Sequence, residues 1–350
     1  MLPSELQFLN DLLADHQLNE VMFNGHEQLF IEREGKLESA ASPLKSAQEL
    51  EQALAALAAL PHTNNIGRLQ ADGMLPDGSR FHMSRPPQSP DYPTLSIRKF
   101  VPTHRGLDNL VASGAITKKA AQFLAAAVQA RLNIMISGST SAGKTTLLNA
   151  LCEKVGPGER IITVEDIPEI QLSHANWVRL VAVPDERGGT LRDCVVGSLR
   201  MRPDRIIVGE CRSSEALEML QAMNTGHDGG MTTLHANSSK DALTRLESLI
   251  LFHAGAEIPI RSLRRQIVDA LDIIVHVRKT HEGRRQLEEI LAVESMEGEI
   301  ITRTSLFRRD DSKANGKLLS SGIVPSFLEQ FKAHGVTIPA YFFDPMALED

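Results

Sequence analysis

The chain has few cysteines, few aromatic residues and no long apolar run. Its three cysteines among 350 residues lie far apart with no Cys-x-x-Cys pair, so we expect neither a zinc ribbon nor a disulfide framework. No apolar stretch reaches the roughly 20 residues that cross a bilayer, and the first residues lack the basic and apolar regions of a secretory signal. We therefore predict a cytoplasmic protein with no integral membrane segment, which reaches a membrane only through a partner.

The chain also has more acidic than basic residues. A formal net charge of −7 and an aromatic content of 4% argue against a nucleic-acid-binding surface, which needs basic patches and stacking rings. Nucleic acid is therefore an unexpected partner, although Arg200, Arg202 and Arg205 form a local basic cluster that a DNA translocase could use. The simpler interpretation is structural, with these arginines at the start of a strand and paired with Asp204 and its neighbours.

A glycine-rich motif is what the chain does have. Residues 138–145 read Gly-Ser-Thr-Ser-Ala-Gly-Lys-Thr, a complete G-x-x-x-x-G-K-[ST] phosphate loop. An apolar run precedes it and a helix-forming run follows it, which is the strand–loop–helix context that a phosphate site requires and that a chance glycine-rich turn lacks. We predict that the chain binds ATP through Gly138, Ser139, Thr140, Ser141, Ala142, Gly143, Lys144, Thr145 and Thr146.

The residue types of this loop have chemical reasons. Gly138 and Gly143 let the backbone turn tightly, so that successive N–H groups converge on phosphate oxygens. Lys144 supplies a positive charge to the β- and γ-phosphates, and the Thr145 hydroxyl can bind the Mg²⁺ that bridges them. ATP and Mg²⁺ are the expected cofactors.

The first part of the chain predicts a small α+β domain over residues 1–100, followed by a linker over 101–117. Its elements are a helix, a hairpin around Asn24-Gly25, a second helix that begins with a capping box from Ser46 to Glu49, and strands over 68–74, 80–84 and 94–99. Proline is dense over 86–93, which predicts a loop.

Residues 118–295 alternate helical patterns with short apolar strands, which predicts an α/β domain with a largely parallel sheet. The strands are expected over 161–164, 177–181, 206–208, 231–234 and 273–277. The segment 296–350 is polar and mixed in pattern, and we expect it to form a small appendage.

Two of the predicted strands end in carboxylates. Glu210 is the best candidate for a catalytic base, because a carboxylate there can orient and polarise a water for attack on the γ-phosphate. The alternative is a surface glutamate that ends a strand. Glu165 and Asp166 end another strand, with Glu169 just beyond, and can hold Mg²⁺ directly or through water. Without a phosphate site, such acidic strand ends are usually solvated.

Two histidines flank a glycine-rich turn and a strand within residues 225–237. Either His227 or His235 could sense the γ-phosphate by hydrogen bonding. A metal role fits less well, because no third ligand lies at a suitable spacing. His235 could equally be a core histidine whose hydrogen bonds are satisfied internally.

The order of four motifs along the chain resembles that of the traffic ATPases of type II and type IV secretion. The order is the phosphate loop, an acidic box over 164–169, the run 199–210 and a histidine box over 225–237. The stretch 222–229 looks closest to the CpaF/TadA branch, which serves tight-adherence pili, and the conjugation and type IV secretion ATPases are near neighbours. The resemblance covers roughly residues 15–295, and the four-cysteine metal element of many type II secretion ATPases is absent.

The resemblance implies a RecA-like P-loop NTPase domain and a homohexameric ring, with ATP between the N-terminal and RecA-like domains. It implies an ATP hydrolase that powers pilus assembly or protein secretion, peripheral at the inner membrane on a platform protein. A DNA-translocating or conjugation ATPase is the alternative, and a nucleotide-gated scaffold that hardly hydrolyses ATP is a third interpretation, which the intact motifs oppose.

In this family, arginines of the N-terminal domain and linker reach the phosphates. Arg80 and Arg98 match those places, and the alternative for both is an ordinary arginine on a strand face. The predicted catalytic set is therefore Lys144, Glu165, Glu210, His227, His235, Arg80 and Arg98, and the predicted Mg²⁺ set is Thr145, Glu165 and Asp166.

Overall fold

The computed structural model describes residues 2–33, 36–61, 63–66, 69–100, 106–183, 189–253, 258–310 and 316–345. The chain divides into two compact units, Met1–Thr103 and His104–Asp350. Within the described ranges, none of the helices has the length and apolar character needed to span a bilayer.

The first unit is a seven-stranded antiparallel sheet in the order β3-β2-β1-β7-β6-β5-β4 with helices packed against it. Its core joins Val21 and Phe23 of the sheet to Leu50, Leu54 and Leu57 of a helix, at the three- and four-residue spacing of one helical face. The elements are a 3-10 helix Ser4–Leu9, α1 Asn10–Ala14, β1 Leu18–Asn24, β2 Gln28–Arg33, β3 Lys36–Ala41, α2 Ala47–Ala58, β4 Asn64–Ile66, β5 Gln70–Met74, β6 Arg80–Ser84 and β7 Thr94–Arg98.

The predicted hairpin around Asn24-Gly25 is confirmed as β1 and β2, but the capping box is only half formed. The Ser46 side chain accepts the backbone N–H of Glu49 at 3.3 Å. The Glu49 carboxylate does not return the bond to Ser46, because it accepts the N–H of Lys45 at 2.8 Å. The residue predicted to begin the strand over 68–74, Arg68, lies outside the described residues, as do the first five residues of the predicted linker.

The second unit contains a nine-stranded sheet in the order β10-β9-β11-β12-β8-β13-β14-β15-β16. The pairs from β10 to β13 are parallel and those from β13 to β16 are antiparallel. The elements are α3 Leu107–Ala112, α4 Lys118–Gln129, β8 Ile134–Gly138, α5 Lys144–Cys152, β9 Ile161–Glu165, β10 Trp177–Val181, α6 Leu191–Ser198, a 3-10 helix Leu199–Met201, β11 Arg205–Cys211, α7 Glu215–Asn224, β12 Met231–His235, α8 Ser239–His253, α9 Ile260–Ala270, β13 Ile273–Lys279, β14 Arg285–Glu297, β15 Ile300–Arg309, β16 Leu318–Ser320, α10 Leu328–Ala333 and a 3-10 helix Ala340–Phe343.

Helices pack into two apolar cores in this unit. Phe123 of α4 and Leu148 of α5 belong to one core, and Leu220 of α7, Leu246 of α8 and Ile267 of α9 belong to the other. A mostly parallel sheet buried by helices in this way confirms the predicted α/β fold.

The segment after residue 295 is not a separate appendage. β14 crosses that boundary, and β15 and β16 continue the same sheet. Phe307 and Phe331 are almost fully buried, and their rings lie 5.4 and 6.2 Å from that of Phe123. The polar and mixed pattern arises because antiparallel strands such as β15 bury only part of their residues.

Candidate functional site

The phosphate loop lies at the edge of the sheet where the parallel strands end. Gly138 ends β8 and pairs with His235, the last residue of β12. Glu165 ends β9, and Glu210 is the second-last residue of β11. Ligands of open α/β sheets bind at this carboxyl edge, so the fold brings the predicted loop, both predicted strand-end carboxylates and one histidine to the same place.

Glycine is required at two points of the loop. A Cβ on Gly138 would lie 2.5 Å from the backbone oxygen of Val277 on β13, which is closer than any real contact. Gly143 has a φ of +99°, a left-handed conformation that strains other residues. Ser141 is also left-handed, with a φ of 59°. The loop therefore has the tight backbone path that directs successive N–H groups at an anion.

Lys144 begins α5 and lies inside this loop. It is 7% exposed, and its Nζ donates to the backbone oxygens of Gly138 and Ser139, both at 3.1 Å. Nζ also lies 3.2 Å from Nδ1 of His235. Because an ammonium group can only donate, Nδ1 must be the unprotonated, accepting nitrogen of that imidazole.

His235 connects the lysine to the predicted base. Its Nε2 lies 2.7 Å from Oε1 of Glu210, a close contact that lacks the angle of a hydrogen bond. Burial lowers the pKa of His235, opposed by the charge of Glu210 and reinforced by those of Lys144 and Arg212. The lowered pKa favours the neutral imidazole, which can accept a hydrogen bond from Lys144.

Arg212 continues this row of contacts beyond Glu210, and none of the sequence motifs assigned it a role. Its Nε donates to Oε2 of Glu210 and its guanidinium donates to Oδ2 of Asp166, both at 2.6 Å. The available signal was its spacing, because residues two apart at a strand end lie on the same side. A continuous chain of contacts therefore runs from Lys144 through His235, Glu210 and Arg212 to Asp166.

Glu169, rather than Glu165 or Asp166, contacts the loop threonine. The Thr145 hydroxyl donates to Oε2 of Glu169 at 3.1 Å. Glu165 is 2% exposed, and its Oε1 accepts the backbone N–H groups of Glu169 and Ile170 at 2.7 and 2.8 Å. Glu165 thus shapes the loop that presents Glu169, and burial raises its pKa to about 7 against those hydrogen bonds.

His227 lies at the opposite edge of the sheet. It precedes β12, whose first residue Met231 pairs with Ile134 at the start of β8. The neighbouring Gly230 donates to the side chain of Asn133 at 2.8 Å, which fixes this turn at the amino edge. The five-residue strand β12 separates the two histidines, so within one chain only His235 joins the phosphate site.

The basic cluster is divided between buried and exposed residues. Arg205 is 1% exposed and donates to Glu159 at 2.8 Å and to the backbone oxygens of Val128 and Gly229. Its carboxylate partner is Glu159 and not Asp204, because the Asp204 side chain accepts the backbone N–H of Arg160. Arg200 and Arg202 are exposed. The structural interpretation therefore holds for Arg205, although the partner differs from the predicted one.

In the first unit, Arg80 and Arg98 are direct neighbours. They are Cα partners on the antiparallel strands β6 and β7, and Glu20 of β1 is the next partner in the same row. Partners that lie opposite each other in a sheet project from the same face. The sheet thus presents two arginines and one glutamate side by side.

The loop and its surroundings suit Mg²⁺ together with a triphosphate. No cluster of three or more histidine, cysteine, aspartate or glutamate residues with metal-binding geometry occurs in the part of the chain that the structure describes. Mg²⁺ at phosphate sites needs no such cluster, since it uses one or two protein oxygens, phosphate oxygens and water. The hydroxyl of Thr145 and the carboxylate of Glu169 provide hard oxygen ligands of this kind.

Comparison with known proteins identifies several similar chains. A family model described as type II/IV secretion system protein matches residues 4–323. The chain is 37% identical over 287 residues to the probable conjugal transfer protein TrbB of Sinorhizobium fredii, covering 81% of this chain and 85% of that protein. It is 40% identical over 238 residues to a putative conjugal transfer protein of Mycobacterium tuberculosis, covering 67% of each.

A solved structure shares the fold. The crystal structure of the pilus retraction motor PilT with bound ADP matches with a TM-score of 0.61 at 18% identity, covering 85% of this chain and 84% of that one.

Proposed function

This chain belongs to the type II/IV secretion system protein family and is an ATPase, and we propose that it powers a type IV secretion machine of the conjugal-transfer kind. The observation that carries the proposal is the line of contacts from Lys144 through His235 to Glu210 at the phosphate loop. The conjugal transfer relatives support the choice of machine.

Lys144 and Thr145 hold the phosphates of ATP in this proposal. The Lys144 ammonium exchanges its two backbone carbonyl partners for oxygens of the β- and γ-phosphates, which carry full negative charge. The Thr145 hydroxyl and the Glu169 carboxylate would hold Mg²⁺, which would supply positive charge beside the phosphates. The N–H groups at the start of α5 complete the anion site.

Glu210 orients the attacking water. Its two oxygens contact His235 and Arg212, and opening one of these contacts would give the water more room at a carboxylate that still has further acceptor sites. Arg212 is the contact that can open, because it is half exposed and also pairs with Asp166. Neutral His235 keeps the other oxygen in place, and it reports whether Lys144 is bound to a phosphate.

Arg80 and Arg98 neutralise phosphate charge in this proposal. Two arginines that are direct neighbours across a strand pair project from the same face and can both contact one anion. Their cross-strand pairing supports the idea of a shared phosphate ligand. An arginine that meets the developing charge is worth about 10³-fold or more in rate.

The proposed assembly is a homohexamer of two-domain subunits, with an N-terminal domain over 1–100, a linker over 101–117 and an ATPase domain from 118. The ring acts in the cytoplasm against a platform protein of the inner membrane. A tight-adherence pilus machine is the second candidate, which the sequence of residues 222–229 favours. The burial of Arg205 supports a motor that does not grip DNA through the basic cluster.

Two substitutions test the proposed chemistry. We expect Lys144→Ala to abolish ATP binding and turnover, and Glu210→Gln to retain binding while lowering kcat by about 10² to 10⁴, the usual contribution of a catalytic base. Glu329→Gln, an exposed residue of α10, is the matched control for loss of a carboxylate and should turn over normally. If Glu210→Gln left turnover unchanged while Lys144→Ala abolished it, Glu210 would not be the base.

A pull-down identifies the machine. Glu210→Gln protein with bound ATP should recover the membrane platform of a conjugation or type IV secretion system from membranes of the source cell. Lys144→Ala protein, which lacks the nucleotide, is the control and should recover less of it. Recovery of a pilus-assembly platform instead would replace the conjugal-transfer proposal with the tight-adherence one.

A further inference from the structure

Arg285 lies against the phosphate loop, and neither the sequence motifs nor the chemistry proposed above uses it. It is the first residue of β14, and its Nε donates to the backbone oxygen of Ser141 at 3.1 Å. Its side chain also runs past Gly143, where an added Cβ would lie 3.5 Å from the arginine Cδ. The residue is exposed although it is held at the loop. An arginine in this position can meet whatever the loop binds.

The order of strands determines which end of the nucleotide it meets. β12 and β11, which carry His235 and Glu210, lie on one side of β8. β13 and β14 lie on the other side, and β14 carries Arg285. A triphosphate whose γ-phosphate points toward Glu210 therefore directs its nucleoside toward the β13–β14 side.

We propose that Arg285 binds the purine ring of ATP by stacking its guanidinium group on the face of the base. This proposal rests on the nucleotide site proposed above. A guanidinium is planar, weakly hydrated and attracted to aromatic faces. The bond from Nε to Ser141 holds the guanidinium itself beside the loop, so little side-chain freedom remains to be lost on binding. The only tryptophan of the chain, Trp177, lies on β10 at the far end of the sheet and cannot serve this role.

The test compares ATP with inorganic tripolyphosphate, which has the phosphates but no base. Dissociation constants of both are measured by calorimetry for the full chain and for Arg285→Ala, Arg285→Phe and Arg284→Ala. Arg284 is the matched control, since it is the adjacent exposed arginine and pairs with Glu282 at 3.4 Å.

We expect Arg285→Ala to weaken ATP binding about tenfold, the scale of a stacking contact. Its affinity for tripolyphosphate should stay unchanged. Arg285→Phe should restore ATP binding, because an aromatic ring also stacks on a base although it cannot donate to Ser141. Arg284→Ala should behave like the unmodified chain.

Three results overturn the proposal. Equal weakening of ATP and tripolyphosphate means that Arg285 shapes the loop or pairs with phosphate. Failure of Arg285→Phe to bind better than Arg285→Ala means that the hydrogen bond and not stacking matters. Unchanged ATP binding in Arg285→Ala means that the base lies elsewhere. Lys144→Ala reports separately on the proposed function, because that site is wrong if this variant still binds both ligands normally.

Discussion

The two edges of the sheet in the second unit carry similar charged residues and use them differently. At the amino edge, Arg205 is 1% exposed and its nitrogens bind Glu159 and backbone oxygens that belong to the fold. At the carboxyl edge, Lys144 binds loop carbonyls and a histidine, all of which a nucleotide can replace. A charged side chain whose partners all belong to the fold stabilises the structure, whereas one whose partners a ligand can replace is a candidate for binding or catalysis.

The difference follows from the direction of the helix dipoles. Helices that precede a parallel strand end at the amino edge, and their last carbonyls attract cations. Arg205 satisfies one such carbonyl, that of Val128 in the last turn of α4. Helices that follow a strand begin at the carboxyl edge, as α5 does at Lys144, and their N–H groups attract anions. The same sheet thus has one edge suited to arginine and one suited to phosphate.

The largest expected effect tests the amino edge. Arg205→Ala removes the buried guanidinium that pairs with Glu159, and breaking a buried pair costs about 3 to 5 kcal/mol. We expect the lower end of this range, because Arg131 still pairs with Glu159 at 2.7 Å. We expect this loss in the free energy of unfolding measured with urea, with normal turnover per folded molecule. Arg200→Ala, an exposed arginine of the same cluster, should cost less than about 0.5 kcal/mol. A loss below about 1 kcal/mol for Arg205→Ala would contradict a structural role for this edge.

A second prediction concerns the pH dependence of stability at both edges. Burial raises the pKa of Glu165 at the carboxyl edge to about 7 and that of Asp272 at the amino edge to about 6. Both folded pKa values lie above the usual carboxyl pKa values of 4.5 and 3.8, so the folded chain binds more protons. Their contribution to stability is full at low pH and is lost as pH rises toward these values.

The measurement is the change in unfolding free energy between pH 5 and pH 8. From the size of the two shifts, we expect the decline to shrink by about 2 kcal/mol in Glu165→Gln and by about 1 kcal/mol in Asp272→Asn. Each variant is the control for the other, because they remove one carboxylate from opposite edges. An unchanged decline in both variants would mean that neither carboxylate is protonated in the folded chain.

Local motifs predicted the phosphate loop, Glu210 and His235, because strand, glycine turn and helix follow one another in the sequence. The choice of Glu169 over Glu165 was not predictable in this way. It depends on the buried N–H groups of Glu169 and Ile170, which need an acceptor and take the Glu165 carboxylate. Whether two strand-end carboxylates face the loop is decided by such local hydrogen bonds, which the sequence pattern does not show.

Residues distant in the chain were missed for a different reason. Arg285 reaches the loop only because β14 returns beside β13, and no motif joins residue 285 to residue 141. By contrast, the sequence could have excluded His227 from the phosphate site. His227 lies before the predicted strand over 231–234 and His235 lies after it, so the two histidines are at opposite ends of one strand. Opposite ends of a five-residue strand lie about 13 Å apart.

These two histidines give the most direct comparison of the edges. We expect His235→Asn to lower kcat about tenfold, because Glu210 and Lys144 lose the side chain that contacts both. A tenfold loss corresponds to an increase of about 1.4 kcal/mol in the activation free energy. The kcat of His227→Asn should stay within twofold of that of the unmodified chain.

The pH dependence of activity tests the same contact. Activity of the unmodified chain should fall as pH drops below the usual histidine pKa, because protonated His235 can no longer accept a hydrogen bond from Lys144. This loss at low pH should be absent in His235→Asn. Equal losses of kcat in both variants would contradict this difference between the edges. They would mean that His227 of one chain acts on a nucleotide held by another chain, because within one chain His227 lies across the sheet from the phosphate loop.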